Sequence, residues 1–135
     1  MTTLNTGDKA PDFSLSDQDD KDVNLTDYKG RKLLLHFYPK ADTPGCTTQA
    51  CNVRDAREEL ADLGVEVVGI SPDAPANQKK FNDKHGLGFS LLSDQDKAIA
   101  KAYGAWGEKS MYGKKYEGII RSSLLIDEQG KVIEA

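Results

Sequence analysis

Two cysteines, Cys46 and Cys51, lie five residues apart in the segment PKADTPGCTTQAC, and this 135-residue chain has no other thiol. Cys46 follows the turn-forming residues DTPG and precedes a stretch with helical periodicity, so we expect it in or beside the first turn of a helix. The unpaired N–H groups and the dipole of a helix N-terminus stabilise an anion. Cysteines there have pKa values of about 3.5–7.5, against about 8.5 for a free thiol. A reactive thiolate is therefore expected at Cys46.

Cys46 has a second interpretation, because a free cysteine is often a small buried apolar side chain. The residues before it favour the reactive one. Thr43 can offer a hydroxyl to the same pocket, Gly45 lets the backbone approach closely, and Pro44 stiffens the turn. A turn from strand to helix is also where open α/β sheets bind ligands.

The elements that must position this segment follow from hydrophobic periodicity. Apolar runs bounded by Gly or Pro predict strands, and apolar residues that recur every three or four positions predict helices. The expected strands cover residues 32–38, 65–71, 89–93, 118–127 and 131–135, after an N-terminal β-hairpin with arms at 13–15 and 23–25. Two expected helices cover residues 47–63 and 76–85, and a third is capped by Asp94 and runs to about residue 103. Their alternation predicts an α/β fold, a mixed central sheet flanked by helices, compatible with a thioredoxin-like fold.

Composition restricts the function classes. The chain is 38% hydrophobic and 30% charged with a net charge of −4, so it lacks the basic surface of a nucleic-acid-binding protein. No apolar run is long enough for a membrane span, and no secretory signal precedes residue 13, so a cytoplasmic location is expected. In that reducing compartment a cysteine pair is more often catalytic, redox-sensing or metal-binding than structural. No metal site is expected, because His36 and His85 lack ligand-spaced partners.

The cysteine segment resembles the active-site segment of the peroxiredoxins, in particular of the bacterioferritin-comigratory-protein or peroxiredoxin Q subfamily. The family pattern of Pro, Thr and Cys falls on Pro39, Thr43 and Cys46. The likeness continues through GDKAPDFSL, GVEVVGISPD and YGAWGEKSMYGKKYEGIIRSS, so it covers nearly the whole chain as one domain, residues 1–135. It implies a thioredoxin fold and an enzyme that reduces hydrogen peroxide and organic hydroperoxides without metal or organic cofactor, in antioxidant defence and redox homeostasis.

The resemblance also implies roles for individual residues. Cys46 matches the peroxidatic cysteine, and Cys51 matches the resolving cysteine of the atypical two-cysteine members. Thr43 would hold the peroxide, and Arg121 matches the active-site arginine. A lone Arg in an apolar predicted strand is costly unless it pairs with an anion, although an edge strand with Arg121 facing water is an open alternative.

Four further residues are expected around the substrate pocket. Tyr38 and Pro39, at the strand end, would form its wall, and Gly45 would let the backbone approach. Gln49, on the first turn of the helix, matches a polar position in the family and would steady the pocket; the alternative is a solvated helix residue.

If Cys46 and Cys51 pair as the resemblance implies, their spacing has a mechanical consequence. Five residues of ideal helix separate two Cα atoms by about 8.6 Å on nearly opposite faces. A disulfide requires about 4.4–6.8 Å. We therefore expect the start of the helix to unwind after peroxide attack.

Two other functions are open at this point. A general thiol–disulfide oxidoreductase usually carries CxxC, which CxxxxC fits poorly. A redox-switched interaction protein would use the unwound helix to expose a surface, and would consume about one equivalent of peroxide. The resemblance further implies a thioredoxin-type dithiol reductant, a monomer, and relatives that continue beyond the position of Ala135.

Overall fold

The computed structural model describes residues 5–41, 44–111 and 113–134, and it describes the backbone alone at residues 44–46, 110, 111 and 134. The strands are β1 (Ser14–Ser16), β2 (Asp22–Asn24), β3 (Lys32–Phe37), β4 (Val65–Ser71), β5 (Ser90–Ser93), β6 (Trp106–Met111), β7 (Lys114–Ile119), β8 (Ser122–Ile126) and β9 (Val132–Glu134). The helices are α1 (Pro44–Asp62), α2 (Pro75–His85) and α3 (Ala98–Ala102), with a short 3₁₀ helix at Leu25–Tyr28.

Seven strands form one mixed sheet in the order β2-β1-β5-β4-β3-β8-β9. The central strands β5, β4 and β3 are parallel, while β8 pairs antiparallel with β3, and β9 with β8. The predicted N-terminal hairpin is confirmed, because β1 and β2 pair antiparallel, and β1 joins the sheet beside β5.

Strand β3 reads as a continuous apolar run because both of its faces are covered. Leu33, Leu35 and Phe37 lie in a core that includes Ala100 and Tyr103 around α3. Tyr38, just after the strand, lies in a second core on the other face, with residues of α1 and α2. The sheet therefore separates α3 from the layer formed by α1 and α2.

Local sequence explains where α2 begins and ends, and the prediction for this helix is confirmed within one residue. Pro75 occupies the first helical position, where its missing N–H has no partner to lose. Gly86 ends the helix in the left-handed conformation, with φ of 58°.

Helix α3 is shorter than predicted, because the residues after Asp94 form a turn before the helix starts. Lys97 is the N-cap residue, and the helix covers five residues. The Asp94 carboxylate still accepts hydrogen bonds from the backbone N–H groups of Ile99 and Ala100, at 3.2 and 2.8 Å. Asp94 thus accepts hydrogen bonds from the first turn of α3, although it lies before the helix in sequence.

The strand predicted over residues 118–127 is two strands. Ile120 and Arg121 separate β7 from β8, and the Ile120 N–H donates to the carbonyl of Ala105 instead of continuing a ladder. Before this break, β6 and β7 form a two-stranded sheet of their own that the sequence reading missed. Most of β7 is exposed, so it lacks the buried apolar face on which strand prediction depends.

Arg57 ties α1 to the loop between α2 and β5. Its Nη1 donates to the carbonyl of Leu87 at 2.7 Å. The same guanidinium occupies the space above Gly88, where a Cβ atom would overlap it, and Gly88 has a φ of +71°. None of the helices in the described part of the chain is long and apolar enough to cross a membrane.

Candidate active site

Cys46 is the third residue of α1, so the expectation that it lies in the first helical turn is confirmed for the backbone. The helix begins at Pro44, three residues before the predicted start. The first N–H groups of a helix have no partner within it. An anion at this position therefore meets unpaired donors and the positive end of the helix dipole.

Cys51 lies further along α1 with a free, half-buried thiol. Its side chain packs against the core that α1 and α2 share, which contains Tyr38 and Phe81. In the helical conformation, Cys51 is thus directed into packing within the α-layer.

The pairing of two strands distant in sequence brings Arg121 close to the start of the cysteine segment. In the antiparallel register of β3 with β8, Phe37 lies opposite Ser122. Arg121 precedes Ser122, so it lies beside the end of β3 from which the chain continues to Cys46. Its side chain is exposed, and it lies in the connection between β7 and β8 rather than within a strand.

His36 lies close enough to Arg121 for the two side chains to interact electrostatically. Burial, and to a lesser extent the positive charge of Arg121, lower the pKa of His36 from 6.5 to about 4. The imidazole Nδ1 lies 3.2 Å from the Ser123 hydroxyl, while Nε2 is buried with no hydrogen-bond partner among the described residues. A neutral imidazole thus lies within the field of Arg121.

The other expected pocket residues differ in their surroundings. Tyr38 is only 2% exposed, and its hydroxyl donates to Gln78 Oε1 at 2.5 Å. Pro39 is half-buried. Gln49 is half-buried, and its Oε1 is buried with no partner among the described residues. Thr43 lies outside the described residues, and Gly45 is described by its backbone alone.

Sequence reasoning missed Ser71, Asp73 and Gln78, which connect α2 to the segment before Cys46. Gln78 is fully buried and bonds both Tyr38 and Ser71. The available signal was a polar residue three positions before Phe81 on the apolar face of α2. Periodicity alone does not say which partners such a residue has.

Within residues 5–41, 44–111 and 113–134, no three His, Cys, Asp or Glu side chains come together as a group that could hold a metal ion. The groups at this edge of the sheet are a helix N-terminus that carries Cys46 and an arginine, while Cys51 lies further along the same helix.

Comparison with known proteins decides the family. The model of the AhpC/TSA family matches residues 6–135. Peroxiredoxin Bcp of Escherichia coli is 54% identical over 132 residues, which are 98% of this chain and 85% of that protein. The chain belongs to the AhpC/TSA family and is a peroxiredoxin. The resemblance drawn from the sequence is thereby confirmed.

Solved peroxiredoxin structures agree with the fold. A mutant of PrxQ from Xylella fastidiosa has a TM-score of 0.92 at 30% identity, covering 99% of this chain and 86% of that one. Peroxiredoxin Q of Xanthomonas campestris has a TM-score of 0.88 at 34% identity, covering 98% and 84%. The predicted thioredoxin-like fold is confirmed. As a peroxiredoxin, the chain is a thiol peroxidase with a peroxide substrate and a thiol reductant.

Proposed function

We propose that this peroxiredoxin reduces hydrogen peroxide and organic hydroperoxides through a sulfenic acid on Cys46 and an intramolecular disulfide between Cys46 and Cys51. The helix N-terminus and Arg121 hold Cys46 as a thiolate by stabilising its charge. Thr43 and the backbone N–H of Cys46 hold the two peroxide oxygens in line with the sulfur.

The first step breaks the O–O bond. The Cys46 thiolate attacks the nearer oxygen, and the departing oxygen takes up a proton and leaves as water or an alcohol. Arg121 stabilises the negative charge that develops on the departing oxygen. The sulfur is oxidised by two electrons to a sulfenic acid.

The second step forms the disulfide. Cys51 attacks the sulfenic sulfur, and the hydroxyl leaves as water with the thiol proton. The ideal-helix separation of about 8.6 Å exceeds disulfide range, so the segment from Cys46 to Cys51 unwinds before the bond forms. A dithiol reductant of the thioredoxin type then reduces the disulfide and regenerates both thiols.

The observation that carries this proposal is the register of β3 with β8. It sets an arginine beside the strand end that leads directly to a cysteine in the first turn of a helix. Residues 46 and 121 are distant in sequence, and the site needs both an activated thiol and a cation for the leaving oxygen. The buried imidazole of His36 adds no competing charge at neutral pH, because its pKa is lowered to about 4.

The proposal is tested by peroxide turnover with a thioredoxin-type reductant. Cys46→Ser should abolish turnover, because the attacking sulfur is gone. Cys51→Ser should still form one sulfenic acid per chain, detected by a dimedone-type trapping reagent and mass spectrometry, and should then stall. A Cys46→Ser variant with full activity would overturn the assignment.

Turnover number separates this function from a redox switch. The peroxidase consumes many equivalents of peroxide per chain while reductant lasts, whereas a switch stops after about one.

We further propose that the enzyme acts in the cytoplasm. We also propose that it is a monomer, because both cysteines of the proposed cycle lie on one chain. An active species with the mass of a dimer at assay concentration would contradict the monomer.

A further inference from the structure

A chain of hydrogen bonds links the buried side of α2 to the backbone of the segment that precedes α1. Its members are Tyr38, Gln78, Ser71, Asp73 and the backbone N–H of Ala41. Tyr38, Gln78 and Ser71 are each at most 2% exposed. Buried polar groups without partners are costly, so such a chain fixes the positions of all its members.

The direction of each bond follows from one fixed acceptor. The carbonyl of Leu92 can only accept, and it lies 2.9 Å from Gln78 Nε2, so the amide nitrogen must face it. Gln78 Oε1 is then left for the Tyr38 hydroxyl, which donates to it at 2.5 Å. The second amide hydrogen of Gln78 donates to Ser71 Oγ at 2.8 Å.

The chain ends on a carboxylate that holds the backbone. Ser71 Oγ donates to Asp73 Oδ2 at 2.7 Å, and the N–H of Ala41 donates to the same oxygen at 2.7 Å. Ala41 lies three residues before the start of α1 and five before Cys46. Tyr38 is thereby attached to α2 through Gln78, and Ala41 to the loop between β4 and α2 through Asp73.

We propose that Asp73 and Gln78 are positioning residues of the Cys46 site, which hold the segment between β3 and α1 so that the thiol stays at its helix N-terminus. This inference rests on the proposed role of Cys46. The chain after β3 then has a fixed part, which ends at Ala41, and a part that unwinds, which begins at α1. The unwinding helix then returns to the same place after each reduction.

Loss of the anchor should affect the thiol before it affects the fold. Asp73 is half-buried and lines a surface groove, so Asp73→Ala removes the acceptor for Ala41 without opening a void in the core. The free energy of one hydrogen bond to a charged group corresponds to about a tenfold change in a rate or an equilibrium constant. We expect Cys46 to react with an alkylating reagent about tenfold more slowly at neutral pH. The midpoint of its rate against pH should rise toward the pKa of a free thiol, about 8.5.

The experiment measures alkylation of Cys46 by iodoacetamide across pH, in a Cys51→Ser background so that one thiol is observed. Hydrogen exchange at the Ala41 amide is measured alongside it. Asp73→Ala and Gln78→Met should speed exchange at Ala41 and shift the alkylation profile upward. Asp73→Asn should show much smaller changes than Asp73→Ala in both the exchange rate at Ala41 and the alkylation profile, because the Asn oxygen can still accept from the Ala41 N–H.

A matched control lies on the same helix. Asn82 is also a buried amide of α2, but it donates to the carbonyl of Phe89 and accepts from the N–H of Gly88, away from Cys46. Asn82→Ala should lower the free energy of unfolding and leave the alkylation profile unchanged. An equal shift in Asn82→Ala would overturn the proposal, since the effect would then reflect general destabilisation.

Other outcomes are equally decisive. Unchanged exchange at Ala41 in Asp73→Ala would show that the bond holds nothing in place, and faster exchange with an unchanged alkylation profile would show that the anchor does not act on the thiol. Either result overturns the inference. If the wild-type chain failed to reduce peroxide while the alkylation shift appeared, the proposed function would fail and the positioning role would stand.

Discussion

At the residue scale, the clearest departure from ordinary side-chain behaviour is His36. It is 3% exposed on a central strand, and its ring stacks on Tyr38 with centroids 5.8 Å apart. Desolvation is the main reason that its pKa falls to about 4, and the charge of Arg121 is the second. His36 is therefore neutral in the folded protein at any pH at which the enzyme would work.

This makes folding stability depend on pH. The pKa of His36 is lower in the folded state, so the unfolded chain binds a proton first as pH falls. The contribution of His36 to the free energy of unfolding is fully present above about pH 6.5 and is lost as pH falls from there toward about 4. The total loss is about 3 kcal/mol. Urea unfolding at several pH values measures it.

The matched variants separate the imidazole from its neighbours. His36→Phe keeps an aromatic ring stacked on Tyr38. It should remove most of the slope of the unfolding free energy against pH between pH 6.5 and 4. Ser123→Ala removes the contact at Nδ1 but keeps the titrating group, so the slope should persist. An unchanged slope in His36→Phe would assign the pH dependence to other groups.

Arg121 gives a second prediction with two independent readouts. Arg121→Gln should slow sulfenic acid formation by about 10²–10³-fold, the usual effect of losing one preorganised group at a developing negative charge. It should also raise the pKa of His36, because the nearby positive charge is gone. Stopped-flow kinetics and NMR titration of the His36 ring measure the two effects. A slower reaction with an unmoved His36 titration would mean that Arg121 is not where the register puts it.

At the element scale, α1 has two parts with different attachments. Its later turns are tied to the end of α2 and to the loop after it, because Arg54 Nη1 donates to the carbonyl of His85 and Arg57 Nη1 to that of Leu87, both at 2.7 Å. Val53 and Leu60 pack against the core on the same side. The turns from Pro44 to Cys51 precede these two arginine hydrogen bonds, although Ala50 and Cys51 pack in the same core.

We therefore expect oxidation to unwind α1 only in part. In the disulfide form, amides of residues 46–51 should exchange much faster than in the reduced form, while those of residues 55–62 stay protected. Hydrogen exchange with mass spectrometry measures this, and Cys51→Ser treated with peroxide is the control that cannot form the bond. Equal protection of residues 46–51 in both forms, or loss along the whole of α1, would contradict the prediction.

Elements with a buried apolar pattern were predictable from sequence. The buried strand β4 was predicted at its observed bounds, and α2 within one residue, because Pro75 and Gly86 mark its ends. The pair β6 and β7 was missed because β7 is largely exposed. In the candidate site, the position of Cys46 in the first turn of a helix was predictable from local sequence, whereas the chain through Gln78 depends on three-dimensional packing that periodicity does not encode.

At the scale of the whole molecule, the face of the sheet toward α1 and α2 is tightly packed at Gly69. A Cβ atom there would lie 2.9 Å from Leu91 Cδ2 and 3.1 Å from Tyr38 Cε1. Gly69→Ala should lower the free energy of unfolding by about 1–3 kcal/mol, the usual effect of overfilling a packed core. Chemical denaturation measures it.

A compensating substitution identifies the cause of that loss. Leu91→Val shortens the side chain that the new methyl group meets, so the double variant with Gly69→Ala should lose less than the sum of the two single variants. Strict additivity would show that the contact with Leu91 is not the source of the strain.

The contact of Arg57 with Gly88 has a consequence for sequence variation. The guanidinium of Arg57 fills the space that any side chain at position 88 would need, and the left-handed backbone there would otherwise admit Asn or Asp. The two positions should therefore covary. Among homologous sequences, Gly should accompany Arg at 57, and residues other than Gly at 88 should occur where position 57 has a short side chain.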